Sequence, residues 1–224
     1  MATQKIQKRL PADKRRAVML DAAAAYFAKH GLEATTRDIA GALGVTQALI
    51  YKHFASKEDL IESTLARVFA PKNQNAPWID PAQPLEGQLL TYYTGLASAS
   101  SEQRMRLFIR AGLDGRSWPT RRGNALTHNL FLPCIEGLRR LTNLPGLATT
   151  PPMRGERELA MMLHASIVFL GIRRHIYGMK MPRDMGDVVT LYVKTFMAGA
   201  VPAMTLLHAG GDDSLTVPLA VTPD

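Results

Sequence analysis

The segment from Thr35 to Phe54, TTRDIAGALGVTQALIYKHF, permits few folds. Thr35-Thr36-Arg37-Asp38 is a capping-box pattern, with Thr35 as N-cap and Asp38 three residues on. The helix it opens, about residues 36 to 43, turns Ile39, Ala40 and Leu43 inward. Gly44 then breaks it. Thr46 is a good N-cap for a further helix, and Val45 before it is placed to staple onto Ile50. In that helix Ile50 and Phe54 lie one turn apart and anchor it, which leaves Gln47, Tyr51, Lys52 and His53 on other sides. Those four side chains carry donors and stacking surface rather than apolar bulk.

The neighbouring sequence supplies the support such a short helix needs. From about Asp13 to Lys29, Met19, Ala23 and Phe27 recur every four residues with Leu20 and Tyr26 beside them, and His30-Gly31 closes the stretch. Ser56 to Asp59 is a second capping box, opening a helix through about Phe69 that Pro71 stops. A helix, a glycine turn and a short second helix, backed by a preceding helix, make a helix-turn-helix.

Charge is uneven in the same direction. Residues 1 to 60 hold ten Lys/Arg against six Asp/Glu, and seven of those bases fall in the first thirty residues. The whole chain of 224 residues has formal charge +8, which suits an anionic partner. One cysteine, Cys134, excludes an intramolecular disulfide framework and suits a reducing cytoplasm. The basic N-terminus lacks the apolar region of a secretory signal, and no apolar run approaches the roughly 20 residues of a membrane span.

Beyond residue 70 helical periods continue and almost nothing alternates like a strand. Residues 71 to 84 carry Pro71, Pro77, Pro81 and Pro84 with Trp78, an extended connection. Helices are expected at about 85–99, 102–114, 120–143, 155–178 and 184–207. Pro133 and Pro202 fall inside two of these and should bend or break them. The tail GGDDSLTVPLAVTPD has no period. The expected division is a helix-turn-helix domain with a basic arm (1–58), a larger helical domain (59–209) and a flexible tail (210–224).

Residues 15 to 61, RRAVMLDAAAAYFAKHGLEATTRDIAGALGVTQALIYKHFASKEDLI, resemble the DNA-binding domain of TetR/AcrR-family transcriptional regulators. The match runs through AA…F…G, T-x-x-x-I-A, the G-V turn, Y-x-x-F and S-K-E-x-L in the right order and spacing. It covers about the first quarter of the chain and implies an all-α protein, its second domain serving effector binding and dimerisation. It also implies a cytoplasmic bacterial regulator, most often a repressor, that binds a palindromic operator as a homodimer. A regulator whose C-terminal domain answers to a protein partner, or to nothing, is the alternative.

Resemblance and local chemistry assign the same polar face. Gln47 lies at the end of the recognition helix that meets base edges, where its amide matches adenine N6 and N7. Ala48 permits close approach. Tyr51 matches the family's phosphate-binding tyrosine, against the alternative of a half-buried core aromatic. Thr46, Lys52 and His53 complete the helix's face, His53 being equally readable as a plain exposed side chain. Leu49, where the family often has a small residue, either touches a thymine methyl or fills the core edge. Thr36 and Arg37 open the preceding helix, whose free N–H groups favour a phosphate, and Lys57 matches a family lysine at the next helix start.

For the second domain the resemblance implies an effector pocket among the middle helices. Tyr92, Tyr93, Phe108, Trp118, Phe131 and Met161 are candidates to line it, with Arg110 and Asp114 as a polar anchor or a surface ion pair. Core packing is the alternative for each. The resemblance also implies that the last two long helices pair with their copies, through Leu159, Met162, Leu163, Ser166, Phe169 and Leu170 on one and Leu191, Thr195, Ala198 and Gly199 on the other, against the alternative that these stripes only complete a monomer core. Nothing points to catalysis, a cofactor or a metal. His164 and His175 are three helical turns apart, and Cys134 reads as a small buried apolar residue.

Overall fold

The computed structural model describes residues 11–70, 79–80, 82–116, 123–210 and 215. The basic arm, Trp78, Trp118 and most of the proline-rich connection and of the tail lie outside those residues. Every described element is helical. The chain divides into two compact units, Met1–Gln74 with Ser101–Arg121 and Asn75–Ser100 with Arg122–Asp224. The division expected after residue 58 falls inside the first unit.

In the first unit, α1 (Ala12–His30) buries Met19, Leu20, Ala23, Ala24, Phe27 and Ala28. Against it pack α2 (Thr36–Leu43) and α4 (Lys57–Phe69), with α3 (Gln47–His53) packed on α2, and later in the chain α6 (Glu102–Leu113) joins α1 and α4. The local signals act as expected. Thr35 and Asp38 exchange both bonds of the capping box. Gly44 sits at φ 65°, ψ 31°, the left-handed conformation that glycine takes without steric cost, and the Val45 N–H reaches back to the Ala40 carbonyl at 3.0 Å. Ser56 caps α4 by accepting from Asp59 N–H, while the Asp59 carboxylate accepts from Ala55 N–H.

Longer-range pairs fix the helices to one another. Arg67 forks onto Asp21 at 2.7 and 2.9 Å, an exposed pair contributing about 1 kcal/mol or less. Arg16 donates to Ser63 Oγ at 2.9 Å and lies 4.7 Å over the Phe54 ring, joining α1 to α4 and to the end of α3.

The second unit is built from α5 (Leu85–Ser98), a π-helical turn at Thr127–Phe131, α7 (Leu132–Leu141), α8 (Arg154–His175) and α9 (Met185–Ala209). The single helix expected over 120–143 thus changes register at the π turn. Pro133 stands in the first turn of α7 directly after the π turn, and the backbone stays helical through both. Pro202, expected to bend or break α9, does not end it. Leu85, Leu89, Tyr93, Phe131, Ile135, Leu138, Leu163, Ile167, Leu170, Val189, Val193 and Phe196 form the core.

Next to that core lies a fully buried ion pair. The Arg139 guanidinium forks onto Glu156 at 2.7 Å on both arms. It also donates to the carbonyls of Pro145, Thr150 and Pro151. Glu156 accepts in addition from Met153 N–H, and its Oε1 lies 3.0 Å from His208 Nε2 on the last turn of α9. One cluster therefore ties α7, α8, α9 and the 142–153 connection together.

Contrary to the sequence expectation, α9 is long and apolar enough to cross a membrane by length and composition, with mean hydropathy 1.3. Among the described residues, 28% of that window is buried, and Leu191 and Leu206 are exposed.

Candidate nucleic-acid interface

The polar face at the turn is built by two short helices. Ile50 and Phe54, both 1% exposed, hold α3 down, and Thr46 Oγ1 caps it by accepting from Leu49 N–H at 3.2 Å. With that side anchored, Gln47, Ala48, Tyr51 and Lys52 are exposed, as is Arg37 at the start of α2. Lys57 opens α4 and is half-buried.

Three of these residues are bonded to each other. Gln47 Nε2 donates to Thr36 Oγ1 at 2.7 Å. Thr36 Oγ1 lies 3.2 Å from the Tyr51 hydroxyl. Thr36, expected to meet phosphate through the open end of α2, is itself only 7% exposed and acts as the hub of this network. Nothing in the sequence signals the link, because its partners lie eleven and fifteen residues apart across a turn.

Other expected contacts are placed differently. Leu49 is half-buried against the core of the first unit. Thr46 spends its hydroxyl on the cap. The His53 ring leans on Phe54, and its Nε2 is buried without a hydrogen-bond partner among the described residues. Burial, with the positive charges of Arg15, Lys52 and Arg16, holds its pKa below the ordinary value. His53 is therefore turned inward rather than along the exposed face.

The candidate effector residues do not all fall in one unit. Phe108 belongs to the first unit, 6.4 Å from Phe69. Arg110, in the same unit, donates to the Lys29 carbonyl at the end of α1. Trp118 lies outside the described residues. Tyr92, Tyr93, Phe131 and Met161 do share the second unit's core. There His164, not singled out from sequence for this role, stands 6.0 Å from the Tyr93 ring and 5.6 Å from Phe131.

The candidate dimer residues also divide. Leu163 and Leu170, 3% and 2% exposed, face the unit's own core and are unavailable to a partner. Met162, Phe169, Leu191, Thr195, Ala198 and Gly199 are exposed, with Leu159 and Ser166 half-buried. Leu159 and Met162 of α8 face Ala203 and Leu206 of α9 across an open apolar groove of about 610 Å³.

Among the described residues no three His, Cys, Asp or Glu side chains gather as metal ligands. Burial pushes the Cys134 thiol up to about 12, which leaves it protonated at neutral pH.

Comparison with known proteins agrees with this geometry. Residues 19–64 match the model of bacterial regulatory proteins of the tetR family. The HTH-type transcriptional repressor KstR2 of Mycobacterium tuberculosis is 48% identical over 54 residues, 24% of this chain and 27% of that protein. KstR2 of Rhodococcus jostii is 50% identical over 52 residues, 23% and 26% of the two chains. The matched part thus spans about a quarter of these relatives' length. A TetR-like transcriptional regulator from Rhodococcus shares the fold with TM-score 0.59 at 18% identity, over 85% of this chain and 100% of that one. A TetR-family regulator from Pseudomonas syringae does so with TM-score 0.57 at 22% identity, over 84% and 97%. The N-terminal helix-turn-helix, residues 19–64, is thus similar to that of bacterial regulatory proteins of the tetR family, and the chain shares the fold of solved TetR-like regulators.

Proposed function

We propose that this chain is a DNA-binding transcriptional repressor of the bacterial cytoplasm that holds a palindromic operator as a homodimer and leaves it when a small molecule binds. The observation that carries the reading is the face of α3 on which Gln47, Ala48, Tyr51 and Lys52 are exposed while Ile50 and Phe54 anchor the helix. A recognition helix needs that division, since its groove side must carry donors while its other side holds it in place. Arg37 and Lys57 flank the face and supply charge for phosphates. The relatives that match this segment are named repressors.

Dimerisation is supported by the uncovered apolar stripe of α8 and α9. Met162, Phe169, Leu191 and Leu206 are 47–73% exposed, an apolar set that a second copy would cover. An effector site is supported by the aromatic cluster of Tyr92, Tyr93 and Phe131 beside a π turn, a feature that recurs at functional sites. An effector bound there must favour a state poor in DNA affinity, so operator and effector weaken each other by the same factor.

Sedimentation at micromolar concentration should return twice the chain mass of 24.6 kDa. Selection from a randomised duplex library should yield an inverted repeat with half-site centres about one helical turn or more apart. A monomer that enriches a single asymmetric site would contradict the dimeric reading.

A further inference from the structure

Base readers on a recognition helix face an entropic and a geometric difficulty. A free glutamine has three side-chain torsions to restrict, and its amide can rotate to exchange donor and acceptor ends. An unrestrained Gln47 would present either end to a base edge and discriminate poorly. The bond from Gln47 Nε2 to Thr36 Oγ1, at 2.7 Å, removes that freedom before DNA arrives.

We infer that Thr36 is a positioning residue for sequence reading: its buried hydroxyl fixes the Gln47 amide so that the carbonyl oxygen and the remaining N–H face the groove in one order, matching adenine.

Three observations support this. Thr36 is 7% exposed, so its hydroxyl is held in place by the surrounding helices. Its Oγ1 is tied a second time, to the Tyr51 hydroxyl at 3.2 Å; with the Thr36 proton given to that bond, Oγ1 is left only as an acceptor toward Gln47 and therefore selects the amide's N–H end. The capping of α2 is carried by Thr35 and Asp38, so the Thr36 hydroxyl is not needed to start the helix. With one amide hydrogen on Thr36, Gln47 retains one acceptor oxygen and one N–H. That pair complements the N6 donor and N7 acceptor of adenine, and guanine, with two acceptors there, cannot satisfy it. The inference rests on Gln47 reading DNA, and the test separates the two.

The experiment uses the full chain and the duplex that the wild type enriches from a randomised library, with all four base pairs substituted at each half-site position. Gln47→Ala first identifies the position whose preference depends on Gln47. Thr36→Val keeps the branched shape and loses the hydroxyl. It should reduce discrimination at that same base pair by roughly tenfold, the scale of one bidentate contact, while discrimination at other positions stays at wild-type levels. Thr36→Ser should restore it. In the Gln47→Ala background, Thr36→Val should change that position no further. Thr36→Ala, smaller and equally without a hydroxyl, gives the same reading should valine disturb folding. If Gln47→Ala abolishes a preference that Thr36→Val and Thr36→Ala both leave intact, or if they weaken all duplexes alike, Thr36 does not position Gln47. If Gln47→Ala shifts no base preference, the underlying assignment of Gln47 fails, and this inference with it.

Discussion

Arg139→Met should lower the melting temperature of the second unit by about 10 °C. The side chain is 0% exposed, and each arm of its guanidinium is satisfied, by Glu156 and by three backbone carbonyls. Methionine fills much of the same volume and satisfies none of them. Breaking a buried pair by removing one partner costs about 3–5 kcal/mol, because the other charge is left uncompensated. At this size each kcal/mol moves the midpoint by about 2–4 °C. The carboxylate adds a pH signature. Burial alone would raise the Glu156 pKa, but hydrogen bonds from Arg139, His208 and the Met153 N–H outweigh it and hold the group below its ordinary 4.5. A depressed acid contributes stability above the unfolded value, lost as pH falls through the folded one. The wild-type advantage over Arg139→Met should therefore shrink as pH drops below 4.5. Calorimetric melts across that range check both parts, and a variant melting within 2 °C of wild type at pH 7 would contradict the account of this cluster.

Phe54→Ala should unfold the recognition helix from its support. The ring is 1% exposed, ends α3, and carries the Arg16 guanidinium on its face. Truncating a buried phenylalanine costs about 3–5 kcal/mol from lost transfer and the cavity left behind. Leu49→Ala on the same helix, only half-buried, should cost much less. Thermal melts followed by circular dichroism compare the two. Equal losses would mean that Phe54 is not the anchor of α3.

How much of this was legible in the sequence follows the range of each interaction. The boundaries of α2 and α4 were readable because their determinants are local: Thr35 with Asp38, Gly44, and Ser56 with Asp59. The π turn at 127–131 was not, since its register change has no residue signature, and Pro133 gave only the expectation of a bend or break. The inward faces of Leu163 and Leu170 were misread because α8 is apolar on several sides, so periodicity singles out no one face. Arg110 reaches the Lys29 carbonyl across 81 residues, and Arg139 meets Glu156 across 17. Sequence displays those charges without their partners. The candidate site shows the same split. Its exposed face followed from the positions of Ile50 and Phe54, whereas the Gln47–Thr36–Tyr51 network depends on how two helices meet across Gly44.

The central claim is that α3 reads bases while flanking cations hold phosphates. Binding titrations of wild type, Gln47→Ala and Lys57→Ala on the selected operator and on a scrambled duplex, at several salt concentrations, test it most directly. Gln47→Ala should cost about 1–3 kcal/mol on the operator and little on scrambled DNA, with the salt slope unchanged. Lys57→Ala should weaken both duplexes alike and reduce the slope of log K against log salt by about one per subunit. If the two variants lose the same affinity on both duplexes with the same salt slope, α3 does not lie in the groove.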